Sequence, residues 1–151
     1  MRSDIGAKAR QPLDVPPNPA CGMITAMSLA LETVARLITA IEMGDIDGVK
    51  SCYAPEVVVW ANFDGKAKDL DASLRVLNWM ISATSDRRYE VQRRIDIEGG
   101  VLQQHVLHAT VAETGKTFSM PACLVITVRG DRITHIDEYL DVSVMTPAFE
   151  A

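Results

Sequence analysis

The stretch Arg93–Thr110, RRIDIEGGVLQQHVLHAT, decides how this chain is read. Two alternating runs flank Gly99-Gly100, and a Gly-Gly loop is a strong hairpin signal because both positions tolerate positive φ. That loop sets a register in which Glu98 faces Val101, Asp96 faces Gln103 and Arg94 faces His105, all on one side of the ribbon. Ile95, Ile97, Leu102 and Val106 lie on the other side. The polar side is either a wet surface or the lining of a pocket.

Outward from the hairpin, everything after Tyr89 reads as strand: Tyr89–Glu98, Val101–Ala112, Lys116–Val128 and Arg132–Val142. AETGK suits a type I turn closed by Gly115 as a bulge, which pairs Ala112 with Lys116 and His105 with Cys123. A two-residue loop at Gly130-Asp131 pairs Cys123 with Glu138. Arg94, Asp96, His105, Cys123 and Glu138 then share one face with Leu107, Val125, Ile136 and Leu140. The opposite face carries Ile95, Val106, Leu124, Ile126, Ile133 and Tyr139. Both faces are largely apolar and need cover, helices on one and a second subunit on the other. A loop one residue longer at AETGK would part His105 from Glu138.

Ahead of the meander, Met27–Met43 has helical periodicity and stops at Gly44. DIDGVKSCYA begins a second helix with Asp45 as its N-cap and Pro55 closing it. EVVVWANF reads as a strand, and Ser73–Ser82 as a third helix. The order helix, helix, strand, helix, meander makes an α+β fold, with three N-terminal helices packed on a curved antiparallel sheet.

The bulk numbers bound the function. A chain of 151 residues with 48% hydrophobic and 23% charged residues is one globular domain. Fifteen basic against twenty acidic residues, net −5, argue against nucleic acid or membrane partners. Cys21, Cys52 and Cys123 are widely spaced and read as free thiols of a cytoplasmic protein. Three histidines without shared facing make no metal site, and no phosphate loop is present, so neither metal nor cofactor is expected. Residues 1–22 carry four prolines and read as a flexible tail dispensable for folding, with the domain over residues 23–151.

The helix–helix–strand–helix–meander order, the hairpin RRIDIEGGVLQQHVL and the ending PACLVITVRGDRITHIDEYLD together resemble the SnoaL-like branch of the nuclear transport factor 2-like superfamily. The resemblance spans roughly Met27 to Val144 and implies a cone-shaped fold enclosing a deep pocket. Relatives implied include polyketide cyclases, ketosteroid isomerase, scytalone dehydratase, limonene epoxide hydrolase and plain binding modules. The Arg-x-Asp and the acid before Tyr-x-Asp of limonene epoxide hydrolase match Arg94, Asp96 and Glu138, with Glu in place of Asp. That enzyme's Tyr-x-Asn falls on Trp60-Ala61-Asn62, and His105 has no counterpart in it.

Glu138, between Ile136 and Leu140, is costly to bury unpaired. It is either a salt-bridge partner of Arg94, a solvated carboxylate, or a general base poised by burial and the Arg94 charge. Arg94 and Asp96, two apart on a strand, share a face, so Arg94 can orient both carboxylates while they divide acid and base roles. His105 is a proton shuttle or a structural histidine; His108 and His135 fall on the other face. Trp60 and Asn62 can furnish a pocket wall and an amide, Tyr53 can reach the mouth, and Cys123 is a small hydrophobe of the lining. The functional expectation is a cofactor-independent acid–base enzyme acting on a small apolar molecule, with a homodimer formed through the sheet. The alternative is a non-catalytic ligand-binding module of the same fold.

Overall fold

The computed structural model describes residues 20–151, with side chains from residue 29 onward. Four helices and six strands follow in the order α1 (Ala20–Met43), α2 (Ile46–Cys52), β1 (Tyr53–Ala61), β2 (Ala67–Lys68), α3 (Leu70–Ala83), β3 (Thr84–Ile97), β4 (Gly100–Val111), β5 (Thr117–Arg129), β6 (Arg132–Leu140) and α4 (Thr146–Phe149). The expectation for residues 1–22 lies outside the described residues, apart from 20–22 at the start of α1.

The helices form where the sequence places both stripe and caps. In α1, Thr33, Val34, Leu37, Ile38, Ala40 and Ile41 are buried at three- and four-residue spacing. Gly44, at φ 72°, ends the helix. Its N–H donates to Ile41 O at 3.1 Å and that of Asp45 to Ala40 O at 2.8 Å, the two bonds of a Schellman cap. Asp45 and Asp69 cap α2 and α3 by accepting from Gly48 N and Ala72 N, each at 2.9 Å. Arg87, on β3, donates from Nε to Ile41 O and from Nη1 to Ile81 O, both at 3.0 Å. One guanidinium thus satisfies terminal carbonyls of α1 and α3 and ties both to the sheet.

The strands form one six-stranded sheet in the order β2-β1-β6-β5-β4-β3. The expected α+β architecture of helices on a curved sheet holds, but the sheet is mixed, because β1 runs parallel to β6. Pro55 lies inside β1 rather than after a helix; it sits where the β1–β6 ladder is irregular. A 3-10 turn at Val142–Val144 and α4 close the C-terminal end, beyond the three helices expected.

Three turns set which side chains face inward. The first loop is Glu98-Gly99, since Ile97 pairs with Gly100 and Arg94 with Gln103. That register lies two residues from the expected one, so the facing is kept. The AETGK loop has four residues, with Val111 N donating to Lys116 O at 2.8 Å, so His105 pairs with Ala122 and Gln104 with Cys123. This reverses the expected facing of β5: Leu124 and Ile126 point into the core, and Cys123 and Val125 point out. Arg129 then pairs with Arg132 around Gly130-Asp131 as expected. A bulge at Thr134 shifts the ladder, so Thr127 pairs with His135 and Leu124 with Glu138. The two one-residue steps cancel, and His105 and Glu138 end on the same face.

The two glycines of the hairpin serve different needs. Gly99 takes φ 77° in the turn, whereas a Cβ on Gly100 would stand 1.8 Å from the Ile126 carbonyl oxygen. Gly100→Ala is expected to force β4 from β5 and cost on the order of 1–3 kcal/mol. At about 2–4 °C per kcal/mol, thermal unfolding should show a fall of several degrees. Gly99→Asn, which tolerates positive φ, should leave the melting temperature within a degree or two.

Candidate functional site

A cavity of about 190 Å³ opens between the inward face of the sheet, α1, α3 and the C-terminal turn. Aliphatic residues supply most of its wall, among them Leu37, Ile41, Leu77, Leu107, Leu124 and Ile136. Groups that can exchange a proton or a hydrogen bond interrupt that lining, among them Tyr53, Ser73, Tyr89, His105 and Glu138. Lys68 stands at its edge, paired with Asp64 at 2.8 Å and set over the Phe63 ring. Phe63 and Trp79, each about half exposed, line the outer part, and Trp79 stacks on Phe149 of α4.

Each polar group is delivered by a strand that must alternate. β4 buries Val101, Gln103, His105, Leu107, Ala109 and Val111 at every second position, so Gln103 and His105 enter the core with the aliphatics. Glu138 enters from β6 two residues after Ile136, and Tyr53 from the first residue of β1. The side chains of Tyr53, Ser73, Tyr89 and Glu138 make no hydrogen bond among the described residues. Ser73 Oγ is fully buried without a partner, while the Tyr53 and Tyr89 hydroxyls and the Glu138 carboxyl belong to residues that line the cavity. Unbonded polar groups gathered in an aliphatic cavity mark a binding site.

The electrostatics follow from that burial. Burial raises the Glu138 carboxyl to about 7; the Lys68 charge opposes the rise and Asp64 adds to it. Burial, reinforced by the Glu138 charge, likewise holds the Tyr53 and Tyr89 phenols above their usual range. His105, 4% exposed, is pushed down to about 4 by burial and then by the Arg94 charge, so its imidazole is neutral at neutral pH. Its ring meets that of Tyr89 edge-on at 4.8 Å.

Of the residues singled out in the sequence, Glu138, His105 and Tyr53 meet in the cavity. Arg94 shares their face but lines no part of it, and its Nε donates to Gln103 Oε1 at 2.7 Å. The expected Arg94–Glu138 pair does not form. β5 and β4 separate their strands, a span of about 14 Å at ordinary strand spacing. Asp96 stands opposite Val101, away from the cavity, with one buried oxygen unpartnered among the described residues. Cys123 points to the opposite face because the AETGK loop is one residue longer than expected. Trp60 also lies outside, edge-on to Tyr139 at 5.5 Å. Asn62 is a clasp rather than a wall: its N–H donates to Glu138 O and its Oδ1 accepts from Leu140 N, both at 3.0 Å.

Gln103, Tyr89 and Ser73 were missed as site residues. For Gln103 a signal was present, since Gln-x-His on an alternating strand puts both side chains on one face. For Tyr89 and Ser73 none was, because a bulge at Gln92 in β3 turns Tyr89 inward and Ser73 depends on how α3 lies across the sheet.

The model of the SnoaL-like domain family matches residues 34–136. The chain belongs to that family. This SnoaL-like domain also resembles solved structures across most of its length. AclR from Streptomyces galilaeus, assigned as a candidate hydroxylase, is 13% identical with a TM-score of 0.73, over 80% of this chain and 95% of that one. IdmH from Streptomyces antibioticus, a candidate polyketide cyclase, is 22% identical with a TM-score of 0.69, over 79% and 96%. An LEH-like epoxide hydrolase from M. tuberculosis is 19% identical with a TM-score of 0.66, over 80% and 89%. At these identities the likeness is one of fold. No curated protein matches the chain.

The buried carboxyl gives this SnoaL-like domain a pH signature. Folded Glu138 keeps its proton up to about pH 7, whereas an ordinary glutamate releases it near 4.5. Between those values the folded state binds more protons than the unfolded one, so this group's contribution to stability falls as pH rises. His105 works the other way, lowering stability as pH falls from 6.5 toward 4. Denaturant unfolding of Glu138→Gln against wild type should show the variant gaining about 2–3 kcal/mol relative to wild type between pH 5 and pH 8. An unchanged difference across that range would mean that Glu138 titrates as a solvated carboxylate.

Proposed function

We propose that this domain is a cofactor-independent acid–base enzyme acting on a small, mostly apolar molecule, with Glu138 as the general base. One observation carries the reading: an unpaired carboxyl with a pKa of about 7 shares an aliphatic cavity with a neutral imidazole. A protein that only held an apolar ligand would gain nothing from burying either group.

In this reading the Glu138 carboxylate removes a proton from a substrate carbon next to an oxygen-bearing group, or from a water that attacks the substrate. The negative charge that develops on substrate oxygen is met by hydrogen bonds from His105 or from the Tyr53 and Tyr89 hydroxyls. Because the imidazole is neutral, His105 stabilises that oxygen as a donor and does not hand over a proton as an imidazolium acid. The proton taken by Glu138 returns to another atom of the same substrate in an isomerisation or cyclisation, or leaves with the departing oxygen in a dehydration. In an epoxide opening it passes to the ring oxygen. Arg94 and Asp96, outside the cavity, act at most through others.

Substrates are sought among lactones, epoxides, enones and sterols by thermal shift, then by turnover. With a substrate in hand, kcat/KM should rise with pH through about 7 as Glu138 ionises. Glu138→Gln should lower kcat by on the order of 10²–10⁴-fold with ligand affinity within about tenfold. Wild-type turnover in that variant removes Glu138 from the chemistry. Ligand binding without turnover by the wild type moves the reading to a binding module of the same fold.

The outward face of the sheet supports a second proposal, a homodimer formed through it. Ile95 and Tyr139 are exposed there, 43% and 49% accessible, with Trp60 against Tyr139. Light scattering at micromolar concentration should give twice the chain mass, and a stable monomer would end this proposal.

A further inference from the structure

Gln103 is wholly buried in the first half of β4, where a hydrophobic residue would pack without desolvation cost. Both ends of its amide are bonded: Oε1 accepts from Arg94 Nε at 2.7 Å, and Nε2 lies 2.9 Å from His105 Nδ1. The direction of this chain follows from chemistry. A guanidinium has donors only, so the amide atom facing Arg94 must be oxygen. The atom facing His105 is then the NH2, which can only donate, and Nδ1 must accept. A neutral imidazole that accepts at Nδ1 carries its proton on Nε2. Nε2 has no hydrogen-bond partner among the described residues, and His105 lines the cavity.

We propose that Gln103 is a positioning residue: anchored by Arg94, it holds His105 as the Nε2–H tautomer and presents that N–H to the cavity as a fixed hydrogen-bond donor. The cavity then sets a donor on β4 against a base on β6. That pairing selects uncharged ligands with an acceptor oxygen, such as a carbonyl, epoxide or hydroxyl. A carboxylate ligand would be repelled by ionised Glu138, and the aliphatic wall would not solvate it. The tautomer assignment stands on hydrogen-bond geometry alone; its kinetic consequence rests on the acid–base reading above.

Three elements put charged or titratable groups around this relay. Arg94 and Tyr89 come from β3, Glu42 of α1 acts on both, and Glu138 comes from β6. Protonation at Nδ1 would place a second donor against the amide NH2 and a second cation near Arg94. Burial and then the Arg94 charge oppose an imidazolium, in keeping with the low pKa of His105.

The test is the 15N ring spectrum of the full-length protein, whose three histidines are assigned with His108 and His135 variants. In the wild type at pH 7, His105 should show an unprotonated Nδ1 and a protonated Nε2, with no titration down to pH 5. In Gln103→Glu the new carboxylate keeps Arg94 and accepts from the imidazole. The proton should move to Nδ1 and the titration midpoint should rise. On a substrate, Gln103→Glu should lower kcat at least tenfold with KM within threefold. A merely structural glutamine would not move the tautomer. A wild-type Nδ1–H imidazole overturns the proposal without any variant, as does a Gln103→Glu protein whose tautomer is unchanged. The expected tautomers in a protein that turns over no substrate would uphold the positioning and remove the enzymatic reading alone.

Discussion

The bulge at Thr134 is the constraint on which the cavity depends. Ile133 and Ile136 are both fully buried, and residues three apart cannot face the same side of a regular strand. One extra residue between them resolves this, and the same step turns Glu138 inward and Tyr139 outward. Without it, the carboxyl would sit on the outer face and a tyrosine would fill the cavity. The inward carboxyl is thus carried by the hydrophobic demand of two isoleucines, which outweighs the cost of burying it.

Outside the cavity, one Asp96 oxygen is also buried without a partner among the described residues. The rest of the scaffold is regular: α1 lays an aliphatic stripe on the sheet, helix ends are capped, and Arg87 satisfies carbonyls of two helices at once. In the cavity, Glu138, Tyr53, Tyr89 and Ser73 lack partners, while Gln103 and His105 are tied into a chain that ends on Arg94. Local violations of burial rules inside an otherwise consistent fold are the physical mark of a site. The division of labour is also visible. The groups left unpaired face the cavity, and Gln103 and Arg94, which orient His105, sit behind it.

Much of the fold was legible because periodicity and punctuation agreed. Gly44, Asp45 and the Gly-Asp turn are local signals with one physical meaning each, and Gly-Gly marked the first hairpin although only Gly99 lies in its loop. Part of the site was legible too, since alternation alone put Arg94 and Asp96 on one face and joined Gln103 to His105. Facing across strands was harder, because each turn passes its error to the next strand. His105 and Glu138 came together although β5 was turned the wrong way, since a longer loop and an unforeseen bulge cancelled. Cys123 had no such second step and landed outside.

By itself, then, the sequence determined the α+β order, the helix caps, the hairpins and the residue types able to carry acid–base chemistry, because those depend on neighbours within a few positions. Only the tertiary structure decided that Arg94 reaches His105 through Gln103 and not Glu138 directly, that Tyr89 and Ser73 join the cavity, and that Trp60 and Cys123 leave it. Those outcomes depend on strand register, on a bulge driven by packing, and on how α3 crosses the sheet. They are long-range contacts whose energies no local stretch of sequence contains.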